Sequence, residues 1–242
     1  MKRIIITSLT LIALLSACST YQMNTLSSTN SVHDEKTGDF KFENDSVKIV
    51  YSFSGENAPI HIDIFNKLNE PVYVDWERSA IINGKQSYSY ADEAIQINGD
   101  ISSISVGKNI TFSNGSIDAK ASVPKNVAFL PPHSQTTKTI SKINKQSFQY
   151  IPGDTFVNTK LASSFDSSGK NVKLAKFNSE NSPLLFKSYL TLYTLNGSTP
   201  KFTAYTNDFY VSEIIRSSSS PDNFSFYHGS RGDFFTSSVG GN

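Results

Sequence analysis

Apolar and polar residues alternate with a period of two along much of the chain, and nothing else constrains its fold as strongly. Val47, Ile49, Tyr51 and Phe53 alternate with Lys48, Val50, Ser52 and Ser54; Ile60, Ile62 and Ile64 with His61, Asp63 and Phe65; Val72, Val74 and Trp76 with Tyr73, Asp75 and Glu77. Successive side chains of a strand point to opposite faces, so this pattern predicts half-buried β-strands. Asn-Gly pairs at Asn83-Gly84, Asn98-Gly99, Asn114-Gly115 and Asn196-Gly197 supply hairpin chemistry, because both turn positions need a positive φ that these residues tolerate. Val127 to Leu130 runs into Pro131-Pro132, which must stop a central strand, and Thr136 to Ile143 restarts one. Leu184 to Leu195 predicts a long strand, with further strands at Phe202 to Tyr205 and Phe209 to Ile215. No stretch sustains apolar residues at helical spacing over three turns, although one short helix fits near Tyr90 to Ile95. The expected fold is all-β, an antiparallel β-sandwich.

A chain of 242 residues is long enough to bury a sizeable core without staples, and its single cysteine excludes an intrachain disulfide framework or a CxxC site. A net charge of +1 provides no field to steer nucleic acid. There is no P-loop, GxGxxG, HxH or HExxH, so no cofactor and no metal is expected.

The N-terminus indicates where the protein resides. Lys2 and Arg3 precede a mostly apolar stretch from Ile4 to Leu15, too short to span a bilayer of roughly 30 Å hydrocarbon but suited to a secretory signal. Leu15-Ser16-Ala17-Cys18 then resembles a lipobox, the bacterial lipoprotein signal, which implies a signal peptide over residues 1–17 and diacylglycerol on Cys18. Its removal leaves 20 bases against 21 acids, a net charge near −1. Two or more acyl chains anchor stably, so the membrane partner would be reached through lipid. Ser19, in place of an Asp, is similar to the pattern of outer-membrane lipoproteins, and the absence of an acidic cluster after the cysteine leans toward a periplasmic face. Residues 18–37 are rich in Ser, Thr and Asn and read as a flexible tether; the sandwich domain is expected over 38–236. The polar stretch 99–123 reads equally as a long loop or as peripheral strands.

Ile62-Asp63-Ile64-Phe65-Asn66, Pro71-Val72-Tyr73-Val74-Asp75-Trp76 and Ile81-Ile82-Asn83-Gly84-Lys85, with Leu130-Pro131-Pro132-His133-Ser134 and the late segments Ser182 to Tyr189 and Phe209 to Ser212, resemble a group of uncharacterised bacterial lipoproteins, many from Bacteroidetes. The resemblance implies an immunoglobulin-like sandwich and carries over no catalytic or binding residue.

Several constellations have both a chemical and a plain reading. Asp75 and Glu77 should share one strand face about 7 Å apart, with Trp76 on the other. Such a carboxylate pair can do acid–base work, or simply solvate the outer face above a buried tryptophan. His61 shares a face with Asp63, as a base–orienter pair would; His33, His133 and His228 read as surface or structural groups. Arg231-Gly232-Asp233 matches an integrin-recognition tripeptide, and Asp45-Ser46-Val47 resembles an O-glycosylation signal. Tyr88 and Tyr90 should share a face near a hairpin, where they would pack in the core or stack on a ligand. The leading expectation is a non-catalytic binding or assembly role in the cell envelope, with an envelope protein or glycan as partner. A surface glycan- or peptide-binding module is the first alternative. An envelope hydrolase using Asp75, Glu77 and His61 is the second.

Overall fold

The computed structural model describes residues 20–91, 97–98, 120–121, 126–140, 150–227 and 229–239. In chain order the strands are β1 (Thr20–Ser28), β2 (Val32–His33), β3 (Phe40–Glu43), β4 (Val47–Ser52), β5 (Gly55–Glu56), β6 (Ile60–Asn66), β7 (Val72–Asn83), β8 (Gln86–Ser89) and β9 (Ile97–Asn98). They continue with β10 (Lys120–Ala121), β11 (Val127–Leu130), β12 (Gln135–Ile140), β13 (Val157–Leu161), β14 (Lys170–Lys176), β15 (Leu185–Asn196), β16 (Thr199–Ser217) and β17 (Phe234–Val239). Among the described residues the only helical segments are two 3-10 turns, Gly153–Thr155 and Pro221–Asn223. The chain is all-β, as the alternation predicts.

Two sheets pack face to face. The larger has ten strands, in the order β11-β7-β15-β16-β1-β17-β5, with β8 beside β7 and the β13–β14 pair beside β16; the smaller runs β12-β6-β4-β3-β2. Together they exceed the about seven to nine strands of an immunoglobulin domain. One pairing, β17 with β5, is parallel, which corrects the purely antiparallel expectation. A hairpin forces antiparallel pairing, whereas β5 forms where the chain crosses between the sheets.

The alternation read in β4 and β6 sets their inner faces: Ile49, Tyr51, Ile60, Ile62 and Ile64 are buried while Lys48, His61 and Asp63 point away. They meet Val72, Val74 and Trp76 of β7, Leu190 and Leu192 of β15, and Phe209 and Val211 of β16. Full burial of one such side chain stabilises by about 1.5–3 kcal/mol. Phe209 is the hub of the core, with the rings of Phe53, Tyr51, Phe186 and Phe40 at 4.9, 5.1, 5.3 and 5.4 Å. A second, smaller core lies on the opposite face of the large sheet, where Met23, Val172, Ile215, Phe224 and Phe234 are buried together.

Residues 20–33 are not tether, so the expected tether at 18–37 and domain start at 38 are corrected. β1 lies between β16 and β17 inside the large sheet, and the fold reaches Val239 rather than ending at 236. Met23 and Leu26 are buried, and so are Gln22 and Asn24. The polar pair is hydrogen-bonded: Gln22 Nε2 donates to Asn24 Oδ1 at 2.9 Å, and Arg216 Nε donates to Gln22 Oε1 at 2.9 Å. Satisfied amides bury at little cost, so a strand of linker-like composition can sit in mid-sheet. The two strands expected at 202–205 and 209–215 are one strand, β16, because Asn207 is buried and donates to Ser31 Oγ at 2.9 Å rather than forming a turn. Of the stretch 99–123 only Lys120–Ala121 is described, paired with Ile97–Asn98. Most of the helix expected at 90–95, and Cys18 with its signal segment, lie outside the described residues.

Candidate functional site

The long strand β7 is interrupted where sequence alone continues its alternation. Asp75 opposes Thr191 and Ala80 opposes Tyr189, so four residues of β7, 76–79, face the single Leu190 of β15. Side chains satisfy the backbone groups this insertion frees. Asp75 accepts from the Arg78 backbone N–H at 3.0 Å, and Ser79 Oγ donates to the Asp75 carbonyl at 2.5 Å. Ser79 Oγ also accepts from the Thr191 N–H at 2.9 Å, and Thr191 Oγ1 donates to the Arg78 carbonyl at 2.7 Å. Bulges of this kind re-aim side chains, and here the one re-aimed is Arg78. Its Nη1 donates to Asp75 Oδ2 at 2.8 Å, and its guanidinium lies 4.8 Å from the Phe202 ring centre, on the outer face of the large sheet.

Phe202 is one end of a row. Phe129 of β11 pairs with Tyr73 of β7, Tyr73 with Tyr193 of β15, and Tyr193 with Phe202 of β16. Four aromatic side chains on four adjacent strands thus stand in register on one outer face, spanning about 14 Å at the usual strand spacing. Tyr73 and Tyr193 stack with centres 4.8 Å apart and planes 6° apart; Phe129 leans on Tyr73 at 5.3 Å and Phe202 on Tyr193 at 5.2 Å. Both faces of each tyrosine are therefore covered by neighbouring rings. Phe129 is 56% exposed and Phe202 45%, and Val127 and Leu195 extend the apolar surface. Burial, with the Asp75 carboxylate second, pushes the Tyr193 hydroxyl above its ordinary pKa, so it stays a neutral hydrogen-bonding group. A shallow groove of about 390 Å³ adjoins the row between the bulge and the β7–β8 hairpin, lined by Arg78, Ala80, Ile82, Ser87 and Tyr189.

The residues singled out in the sequence fare differently. Tyr88 is 47% exposed and Tyr90 is 1% exposed, so the expected two-tyrosine ligand platform does not form. β8 ends at Ser89; the Tyr90 N–H then donates to the Ser79 carbonyl at 2.9 Å, and the ring turns into the core, its hydroxyl donating to Ser188 Oγ at 2.9 Å. Asp75 and Glu77 are not a solvated pair. Asp75 is buried under Arg78, while Glu77 lies past the start of the bulge and accepts from Asn126 Nδ2 at 2.7 Å. His61 faces out from the small sheet, its Nδ1 2.9 Å from Thr139 Oγ1, and Asp63 accepts from Thr137 Oγ1 at 2.5 Å. Asp75 and His61 thus stand on opposite outer faces of the sandwich, and the hydrolase constellation is not assembled. The Arg231-Gly232-Asp233 tripeptide is turned on itself: Asp233 is 3% exposed, accepts from Arg231 Nε at 3.0 Å and Nη2 at 2.6 Å, and meets His33 Nε2 at 2.9 Å. His133 occupies a positive-φ turn position, 2.9 Å from Asn69, and His228 lies outside the described residues. Among the described residues no cluster of His, Cys, Asp and Glu could hold a metal, and no helix is long and apolar enough to cross a membrane.

The aromatic row was missed because its members lie far apart in sequence. The one available signal was that Tyr73 and Tyr193 fall on the outward phase of their strands while being bulky and apolar. No protein-family model, no curated protein and no solved structure matches the chain.

Proposed function

We propose that this chain is a lipid-anchored β-sandwich of the outer membrane, facing the periplasm, that binds a partner protein through the aromatic row. The observation that carries the binding role is the in-register row Phe129-Tyr73-Tyr193-Phe202 with Arg78 laid over its end. Aromatic residues and arginine are the types enriched in the cores of protein interfaces and among the residues that dominate their energy. Cross-strand aromatic pairs also steady a sheet by about 0.2–1 kcal/mol each, but sheet stability alone does not require the end rings to be half exposed. The glycan alternative has weaker support. A sugar stacks on a free ring face, and the central tyrosines spend theirs on each other, leaving edges and hydroxyls outward. The anchor reading is supported by the lipobox-like Leu15-Ser16-Ala17-Cys18.

Two measurements test the proposal. An acyl-chain analogue should label the wild type and spare Cys18→Ala; equal labelling ends the anchor reading. Wild-type protein cross-linked in its own envelope should co-purify with a discrete partner. The doubly substituted Phe129→Ser, Phe202→Ser protein should lose that partner while keeping its fold. Retention of the partner overturns the role of the row.

A further inference from the structure

Resting on the lipid-anchor reading of Cys18, we infer that the sandwich stands directly on the bilayer, with the loop 162–169 at its base entering the lipid head-group layer and Phe165 foremost. β1 begins at Thr20, two residues after Cys18. Two residues of chain reach at most about 7 Å, so whatever path Ser19 takes, an acylated Cys18 holds the Thr20 end of the large sheet against the membrane.

Strand register identifies what else lies at that end. Arg216 of β16 is level with Gln22 of β1 on one side and Lys173 of β14 on the other. From this row toward the base, Thr20 is two residues, about 7 Å, and Lys170 three residues, about 10 Å, further on. Lys170 pairs with Leu161, and the loop 162–169 joins those two residues beyond the pair. The loop therefore leaves the sheet past the level of Thr20, two strand spacings, about 10 Å, to one side, where the Ser164 N–H donates to the Asn223 carbonyl at 2.9 Å. Its tip carries Phe165, which is 80% exposed.

An aromatic ring held at lipid height finds its apolar environment in the bilayer interface. The charges nearby are balanced: Lys160 and Lys170 accompany Asp166, which pairs with Lys170 at 3.4 Å, and Asp222. The contact should therefore depend little on anionic lipid and should be driven by the ring and the short anchor.

The full-length lipidated protein offers a clean test, because acylation blocks Cys18, the one cysteine in the chain. A fluorophore is attached to the Phe165→Cys variant and, separately, to Ser198→Cys at the β15–β16 hairpin. Each protein is reconstituted in vesicles of phosphatidylethanolamine with phosphatidylglycerol as the minor lipid, carrying a nitroxide at head-group depth. The label at 165 should shift to the blue and lose most of its fluorescence to the nitroxide, while the label at 198 stays unquenched. Inserting a flexible Gly/Ser segment between Ser19 and Thr20 should relieve the quenching at 165. Protein that floats with the vesicles but remains unquenched at 165, or quenching untouched by the insertion, overturns direct seating and leaves the anchor intact. Protein that fails to float, with a reactive Cys18 thiol, overturns the anchor reading itself.

Discussion

Trp76 reports on the register of the first half of β7 by itself. Period two puts it in phase with Val72 and Val74, and the structure buries all three. Its ring is covered edge-on by Tyr90 at 6.5 Å and by the Lys138 ammonium at 5.2 Å. Trp76→Ala should cost about 3–5 kcal/mol, read as a lower urea midpoint. The wild-type emission, from the only tryptophan, should be blue-shifted and poorly quenched by acrylamide; free quenching would place the ring at the surface. The core also contains a polar node invisible to hydrophobic patterning, Ser188, whose Oγ lies 3.0 Å from the Tyr51 hydroxyl and accepts from the Tyr90 hydroxyl at 2.9 Å. Ser188→Ala leaves a buried hydroxyl without its acceptor and should cost about 1–3 kcal/mol. Burial pushes both tyrosines above the ordinary value of 10.0. The folded protein keeps protons that the unfolded chain releases, so their contribution is whole below about pH 10 and is lost as pH rises above it. Stability measured against pH should fall on the alkaline side, and Tyr51→Phe should make that fall shallower; an unchanged slope would show that Tyr51 is not the group responsible.

Among the elements, β4, β6, β15 and the first half of β7 were legible because each alternates apolar residues of the core with residues of the outer face. A hairpin does form beside Asn83-Gly84, but its turn is Gly84-Lys85: Asn83 still pairs with Gln86, and of the Asn-Gly pair only Gly84 takes a positive φ, +58°. β1 was not legible, since its Ser, Thr, Asn and Gln satisfy one another and the sheet around them, and hydropathy cannot register satisfied amides. The bulge in β7 was hidden for a related reason. It is held by side-chain hydrogen bonds within β7 and to Thr191 of β15, more than a hundred positions away, and it reverses the alternation so that Ser79 and Ile81 point inward after Trp76. The aromatic row is a property of four strands in register and belongs to no segment alone. A chain starting at Thr37 lacks a strand paired on both sides and the buried Met23 and Leu26. It should fail to give a cooperative thermal transition, whereas a chain starting at Ser19 should melt cooperatively; cooperative melting of the shorter chain would make β1 an accessory.

On the scale of the molecule, β16 sets the long dimension. Its 19 residues run from the Gly197-Ser198 turn to Ser217, level with Tyr21 at the start of β1. At about 3.3 Å per residue that is about 60 Å, which sets Phe202 about 50 Å from the base. The proposed lipid at one end, with the exposed aromatic row near the other, would suit a protein that holds a partner away from the membrane surface. The most direct measurement is site-specific photo-cross-linking in intact cells, with the reactive group placed in turn at Phe129, Phe202 and the opposite-face control Asp63. Residues 129 and 202 should capture the same discrete partner and residue 63 should not. Capture at 63 alone, equal capture at all three, or none at 129 and 202 would contradict the assignment of this row as the binding face.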